Sequence, residues 1–550
     1  MLSCFRGIVG SSSSSKDGSS NQSPNGSEST LVNEKSEKVS MITSTRTSKS
    51  SATLYTDVHL VGSEKEGLSS VLVQDGQVKW IAAADEKKEL PENVERIDLN
   101  GQWLGPSMID WHVHSKLAAQ SEHRVHLDSV KSAEGVFARM REALSDPKYD
   151  REDLIGVDMR NGDWPDNDEM NRVNLDEKVS STRPIFLFYN GYHSVVCNSI
   201  GLTKYGEKAE GSGILKEHSA WPLTHQLGKV EDEVMDGWID SWARDAASLG
   251  VTEIVDLEID FNIRDWRRRA QNGFNTLRVN LGIYENHFDD AVKQGYKTGD
   301  IVDEDGLRLI KIGPFKMVTD GGLGSQTACC HDPYPNTTDY GMMNDSPEKI
   351  KLWTRKATEH GFRLAIHAIG DQANTYCLNT MASNPIPPLA GSTIEHAQLL
   401  VLDEIPIFTK LGLIASVQPV HLVDDRETCL KYWPGREHRA WALKSLADAG
   451  VRMKFGSDNP IAELNPWEAM AVAISRKRKG GLPLSEEQAV GIHTAWVSST
   501  SNGRASIQAG DRADFVIIDK DPLKCDADGL RSISIHGTVL GGRWTYRKKI

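Results

Sequence analysis

Two histidines one residue apart, His112 and His114 in 110-DWHVH-114, follow an aspartate inside an apolar run that begins at Leu104. In a β-strand residues i and i+2 share a face, so the pair offers two imidazoles side by side, which is how a chelate for a divalent ion begins. An isolated pair of this kind also serves ordinary packing and hydrogen bonding, so the decision falls to the rest of the chain. Lys316 lies inside the apolar run IKIGPFKMV, His367 closes FRLAIHA, His396 closes STIEHA and Asp458 follows VRMKFGS. Taken singly, each has a plain reading: a satisfied core histidine, a lysine paired with a carboxylate such as Asp320, an aspartate capping a turn. Together they place metal-ligand types at the ends of successive apolar runs. Zinc, iron and manganese accept such nitrogen and oxygen donors. A divalent ion draws the pKa of water towards neutrality, and a neighbouring carboxylate can take the proton and return it. Asp458 is the candidate for that task.

The runs that carry these residues alternate with helical stretches between about 104 and 490. GVTEIVDLE, TLRVNLGIY, LRLIKIGPFKMV, FRLAIHA, STIEHA, LIASVQPV and VRMKFGSD read as strands. EVMDGWIDSWARDAASLG, PEKIKLWTRKATEHG and HRAWALKSLADAG read as helices that stop at glycine. Such alternation predicts a parallel α/β fold. A (β/α)8 barrel suits the length and would gather its chemistry at the C-terminal strand ends. LIGVDMR and PIFLFYN also qualify as strands, which exceeds eight, so some runs must lie outside the barrel. The flanks have another texture: short alternating segments at 53–103, with a hairpin signal at Asp75-Gly76, and again near the C-terminus in ADFVIIDKD and SISIHGTVLGGRWTY. One small sheet domain built from both ends (53–103 with 500–550) around a barrel at 104–499 is the expected organisation. Residues 1–52 are Ser-rich with little to bury, which predicts a disordered tail, one that could exercise a regulatory role.

The 550 residues carry a formal net charge of −14. An acidic surface is a poor partner for nucleic acid or anionic membrane, and no apolar run approaches bilayer-spanning length. Seven scattered cysteines without a C-x-x-C pair suit a reduced compartment, and MLSCFRGIVG is too weakly apolar for a secretory signal. Cytoplasm is therefore the expected location and a small molecule the expected partner, with a homodimer left open.

The motifs resemble a known family. The segment 105-GPSMIDWHVHS-115 is similar to the PGFIDxHxH signature of metal-dependent amidohydrolases. More narrowly, 316-KMVTDGGLGSQTA-328, 365-AIHAIGDQAN-374, 394-IEHAQ-398, 415-ASVQPVH-421 and 456-GSDNPIAELNPW-467 resemble the YtcJ-like branch, amidohydrolase 3. So do 190-NGYHSVVCNS-199, 213-GILKE-217 and 510-GDRADFVIIDKDP-522. The resemblance implies a (β/α)8 barrel with a composite β-sandwich, and hydrolysis of an amide or related C–N bond. Carried over by position, it implies that His112 and His114 bind one metal, His367 and His396 a second, and Lys316 bridges them as an N-carboxylated lysine, with Asp458 as metal ligand and base. The metal would be one or two divalent ions, zinc foremost, with iron or manganese as alternatives. Glu217 is the alternative ligand should Lys316 stay unmodified. Trp164, His193, Asp320 and His421 are candidate substrate contacts. Two family arginines are replaced, by Gln326 and Gln372, which favours a neutral substrate. A cyclic amide, carbamate, lactone or deamination substrate, or a scaffold that has lost catalysis, remains an alternative.

Overall fold

Strands that are apolar along their whole length must be covered on both faces, and runs such as Leu364–Ala368 and Ile414–Val417 are buried at every residue. In the computed structural model they assemble into an eight-stranded, all-parallel sheet in chain order. Its strands are β1 (Met108–Val113), β2 (Val251–Asp256), β3 (Arg278–Tyr284), β4 (Ile310–Val318), β5 (Leu364–Ala368), β6 (Thr393–His396), β7 (Ile414–Val417) and β8 (Arg452–Phe455). The structure describes residues 52–64, 67–160, 164–304 and 306–548. The Ser-rich tail expected over 1–52 lies, apart from Ala52, outside the described residues.

The sheet curls until its two edges meet. Just beyond β8, the Asp458 N–H donates to the His112 carbonyl at 2.7 Å and the His114 N–H donates to the Asn459 carbonyl at 2.9 Å. These bonds nearly close the ring as a TIM-like barrel. They need a glycine at 456, because a Cβ there would stand 2.7 Å from the His112 nitrogen. Helices cover the outside as their periodicity requires. Asp232–Ser248, for example, buries Met235, Ile239, Trp242, Ala243 and Ala246 on one face. The helix expected over HRAWALKSLADAG is shorter than its pattern suggests: only Leu443–Asp448 is α-helical, since Trp441 adopts a left-handed backbone (φ 45°) that breaks it.

LIGVDMR and PIFLFYN do lie outside the barrel. They form the strands Leu154–Met159 and Ile185–Tyr189 of a separate five-stranded sheet. This layer is inserted between β1 and β2, where βα connections emerge at the C-terminal face. A third, eight-stranded sheet draws on both flanks: Phe515–Ile518 pairs antiparallel with Trp103–Pro106, which pairs in turn with Ala52–Leu60. The hairpin expected at Asp75-Gly76 joins Ser69–Gln74 to Gln77–Ala83, and both turn residues have positive φ (53° and 73°).

Candidate metal centre

The barrel mouth gathers five imidazoles and a carboxylate from strands far apart in sequence. His112 and His114 leave the end of β1, and Asp458 leaves the end of β8 across the seam. One Asp458 oxygen, Oδ1, stands 3.3 Å from Nε2 of His112 and 3.3 Å from Nε2 of His114. That oxygen is buried and has no hydrogen-bond partner. Its other oxygen lies 4.0 Å from Nε2 of His421, itself buried and unpartnered. Two triads sharing Asp458 therefore bring ligand atoms within 4.8 Å of one another: His112, His114 and Asp458, and His396, His421 and Asp458. Orphaned buried polar atoms that converge in this way fit a divalent ion.

The electrostatics suit the same donor set. Burial alone would raise the Asp458 carboxyl, but His112, His114 and His396 overcome it and hold it well below the usual carboxylate range. Burial, with Lys316 adding to it, pushes the His112 imidazole down to about 4. Burial and then His367 push His396 well below its ordinary value. Neutral imidazoles and an ionised carboxylate are the ligating forms. Lys316 is 2% exposed, and its Nζ stands 3.3 Å from His112 Nε2. Burial lowers its amine, against the pull of Glu395 and Asp458. The backbone is strained at this mouth: His396 (φ 69°), Asp458 (φ 59°) and Glu217 (φ 45°) all hold left-handed conformations, each costing about 1–3 kcal/mol.

The remaining candidates divide. His193 lies beside the cluster, its ring 5.9 Å from that of His367. Both oxygens of Glu217 are engaged: Oε2 pairs with His193 Nδ1 at 3.0 Å, and Oε1 accepts from Thr327 Oγ1 at 2.6 Å. Its geometry orients His193. His421 stands in the second of these triads, whereas His367 belongs to neither, its Nε2 turned towards the Gly321 carbonyl and Asp320 Oδ1, 3.4 Å from each. Asp320 is fully buried and accepts from the backbone N–H groups of Cys329, Ile369 and Gly370 at 2.8–3.0 Å, so it ties the loops after β4 and β5 together beneath the mouth. Trp164 sits in the apolar core of the five-stranded layer with Met159 and Met170, not at the cluster.

Sequence reasoning missed two orienting groups. Glu395 accepts from His112 Nδ1 at 2.7 Å, and Gln418 Oε1 is 2.9 Å from His396 Nδ1. These bonds turn the opposite ring nitrogens towards the cluster, the orientation that a metal-binding imidazole takes. The signal was present in 394-IEHAQ-398: a carboxylate in the middle of a buried strand needs a specific partner.

Comparison with known proteins places the chain among metal-dependent hydrolases and amidohydrolases by sequence and fold. The chain is 24% identical over 527 residues to the putative amidohydrolase YtcJ of Bacillus subtilis, covering 88% of this chain and 97% of that one. It is 24% identical over 539 residues to the N-substituted formamide deformylase of Arthrobacter pascens, covering 90% and 97%. Its fold superposes with a TM-score of 0.70 on an uncharacterised metal-dependent hydrolase from Pyrococcus horikoshii, at 23% identity, covering 87% of this chain and 99% of that one. The model of the amidohydrolase family, Amidohydro_3, matches residues 95–546. With the barrel and a cluster of buried ligand types at its mouth, that match over most of its length establishes that the chain belongs to the amidohydrolase family.

Proposed function

We propose that the chain is a metal-dependent hydrolase that cleaves a C–N bond, of amide or N-formyl type, in a small neutral substrate. The observation that carries this reading is Asp458 Oδ1, buried, unpartnered and 3.3 Å from two imidazole nitrogens. His112, His114 and Asp458 would hold one divalent ion, zinc foremost, and His396 and His421 with the same aspartate would hold a second. When bound, the ion supplies a Lewis acid that acidifies water and polarises a carbonyl. Asp458 takes the proton from the attacking water and delivers it to the leaving nitrogen. His193, oriented by Glu217, supports the substrate from the side of His367. Lys316 has the buried, poorly solvated amine that carboxylation requires: its nitrogen forms a bond to the carbon of CO2 and loses a proton, which yields a carbamate with oxygen donors. The sheet built from both flanks is read as the composite β-sandwich of the family.

Two features favour a neutral substrate. Gln372 replaces an arginine, and its amide is engaged by Cys329 Sγ (3.1 Å) and the Tyr376 hydroxyl (3.2 Å). Arg160, which reaches the Ile461 carbonyl just past Asp458, is tied by Asp424 at 2.9 Å, a carboxylate that it shares with Arg478. The deformylase named above acts, by its name, on N-substituted formamides, which makes that class the first to assay. The test is elemental analysis of the purified chain and of Lys316→Ala, with formate release from N-substituted formamides measured on both. About two ions per chain, falling in the variant together with activity, is the expected result. No bound metal, even after reconstitution with bicarbonate, would overturn the proposal.

A further inference from the structure

Away from the barrel mouth, the five-stranded layer holds a cavity of about 40 Å³. It lies between the end of the helix Ser115–Ser121, the start of the strand Leu154–Met159 and the helix Asp232–Ser248. At about 10–15 Å³ per water position, it has room for roughly three such positions, which suits a carboxylate or a phosphate group.

The charge inside it is not balanced by the protein. Arg124 lines the cavity and is 6% exposed. Its Nη2 donates to Gln120 Oε1 at 3.2 Å, Nη1 is buried without a hydrogen-bond partner, and the guanidinium also lies 5.9 Å from the centroid of the Phe188 ring and beside the Tyr192 hydroxyl. Among the described residues it forms no ion pair with a carboxylate, although an uncompensated buried guanidinium is costly. A second cation, Arg151, lies with its guanidinium 4.9 Å from the centroid of the Trp238 ring. His123 stacks on the same indole at 4.0 Å. Burial, followed by Arg151 and Lys148, lowers the His123 imidazole, as a local excess of positive charge would. The one carboxylate in the lining, Asp153, is occupied by Lys204 Nζ at 2.6 Å and the Tyr205 hydroxyl at 2.9 Å.

We propose that this cavity is a binding site for a compact oxyanion, a carboxylate or phosphate group, held by Arg124 and Arg151 beside Trp238. Arginine suits the task because its planar fork donates to two oxygens of such a group at once. The site is separate from the metal cluster yet joined to it: the helix Ser115–Ser121 begins directly after His114 and ends at the cavity, a rise of about 9 Å. An anion held at its far end steadies the segment that carries His114.

Calorimetric titration of the full-length, metal-loaded chain at constant ionic strength tests the proposal, with inorganic phosphate and acetate as separate probes. One equivalent of either should bind, and Arg151→Gln should weaken it by about tenfold or more while metal content stays unchanged. Arg124→Gln should act in the same direction. Should that buried substitution fail to fold, the exposed Arg151 site keeps the test open. Equal affinity in wild type and Arg151→Gln would place the binding elsewhere and overturn the proposal. So would the absence of binding of both probes up to about 10 mM.

Discussion

Lys454 on β8 is the sharpest test of the barrel interior. Its Nζ sits 2.9 Å from the centroid of Trp111, the residue between Asp110 and His112. Burial, with Arg452 and Arg363 adding to it against Glu253, pushes the amine down to about 7 from its ordinary 10.5. Between those two values the unfolded chain carries a proton on this amine that the folded chain lacks. Stability must therefore rise with pH across that window, and the cost of burying the charged amine is fully present below pH 7. The window is worth about 1.4 kcal/mol per pH unit; because the folded amine is still half protonated at pH 7, the interval from pH 7 to pH 9 amounts to roughly 2 kcal/mol. The Trp111 face returns only about 1–2 kcal/mol as a cation–π contact. Lys454→Met keeps the stem and removes the charge, so the variant should be more stable than wild type at pH 7 and should lose about 2 kcal/mol of that advantage by pH 9. For a fold of about 500 residues, whose unfolding entropy is about 1 kcal/mol/K, the Tm difference should shrink by about 2 °C. Scanning calorimetry of both proteins at pH 7, 8 and 9 measures this directly. A Tm difference that stays constant across the three values refutes the reasoning.

Gly456→Ala should push the β8 end off His112 at the barrel seam, costing about 1–3 kcal/mol and depleting bound metal; wild-type stability and metal content by denaturation and elemental analysis would contradict this. Glu395→Gln should weaken metal retention by about 10–100-fold in a chelator competition, because His112 Nδ1 loses its carboxylate partner. Arg476 is fully buried, forms no ion pair among the described residues and donates to the carbonyls of Leu484, Trp441 and Ala440. Arg476→Met should leave these acceptors unpaired and cost about 2–4 kcal/mol, read as a lower urea midpoint.

The sequence made the barrel legible because parallel strands covered on both faces leave an unbroken apolar signal, as in FRLAIHA and LIASVQPV. His112, His114, His396 and Asp458 were legible for a related reason: a polar residue at the end of such a run must face the barrel mouth. The finer assignment was not. Whether His367 or His421 turns towards Asp458 depends on loop geometry that periodicity does not encode. The partner of Glu217 depends on how the inserted layer folds back to deliver His193. Lys454 and Trp111 lie within strands where their types raise no flag in sequence, and only the curl of the sheet brings them together. The two-fragment sheet could be suspected from matching texture at 53–103 and near the C-terminus, but the pairing of Trp103–Pro106 with Phe515–Ile518 is a long-range fact that local patterns do not specify.

The seam between β1 and β8 also bears on how the chain matures. His112 and Asp458 sit 346 positions apart in the sequence, yet the backbone N–H of one residue is bonded to the carbonyl of the other. During synthesis the N-terminal half of the ligand set therefore waits, incomplete, until the last barrel strand has been made and docked. A chain whose ring is open holds only fragments of the candidate chelate, His112 and His114 on one side of the seam and Asp458 on the other.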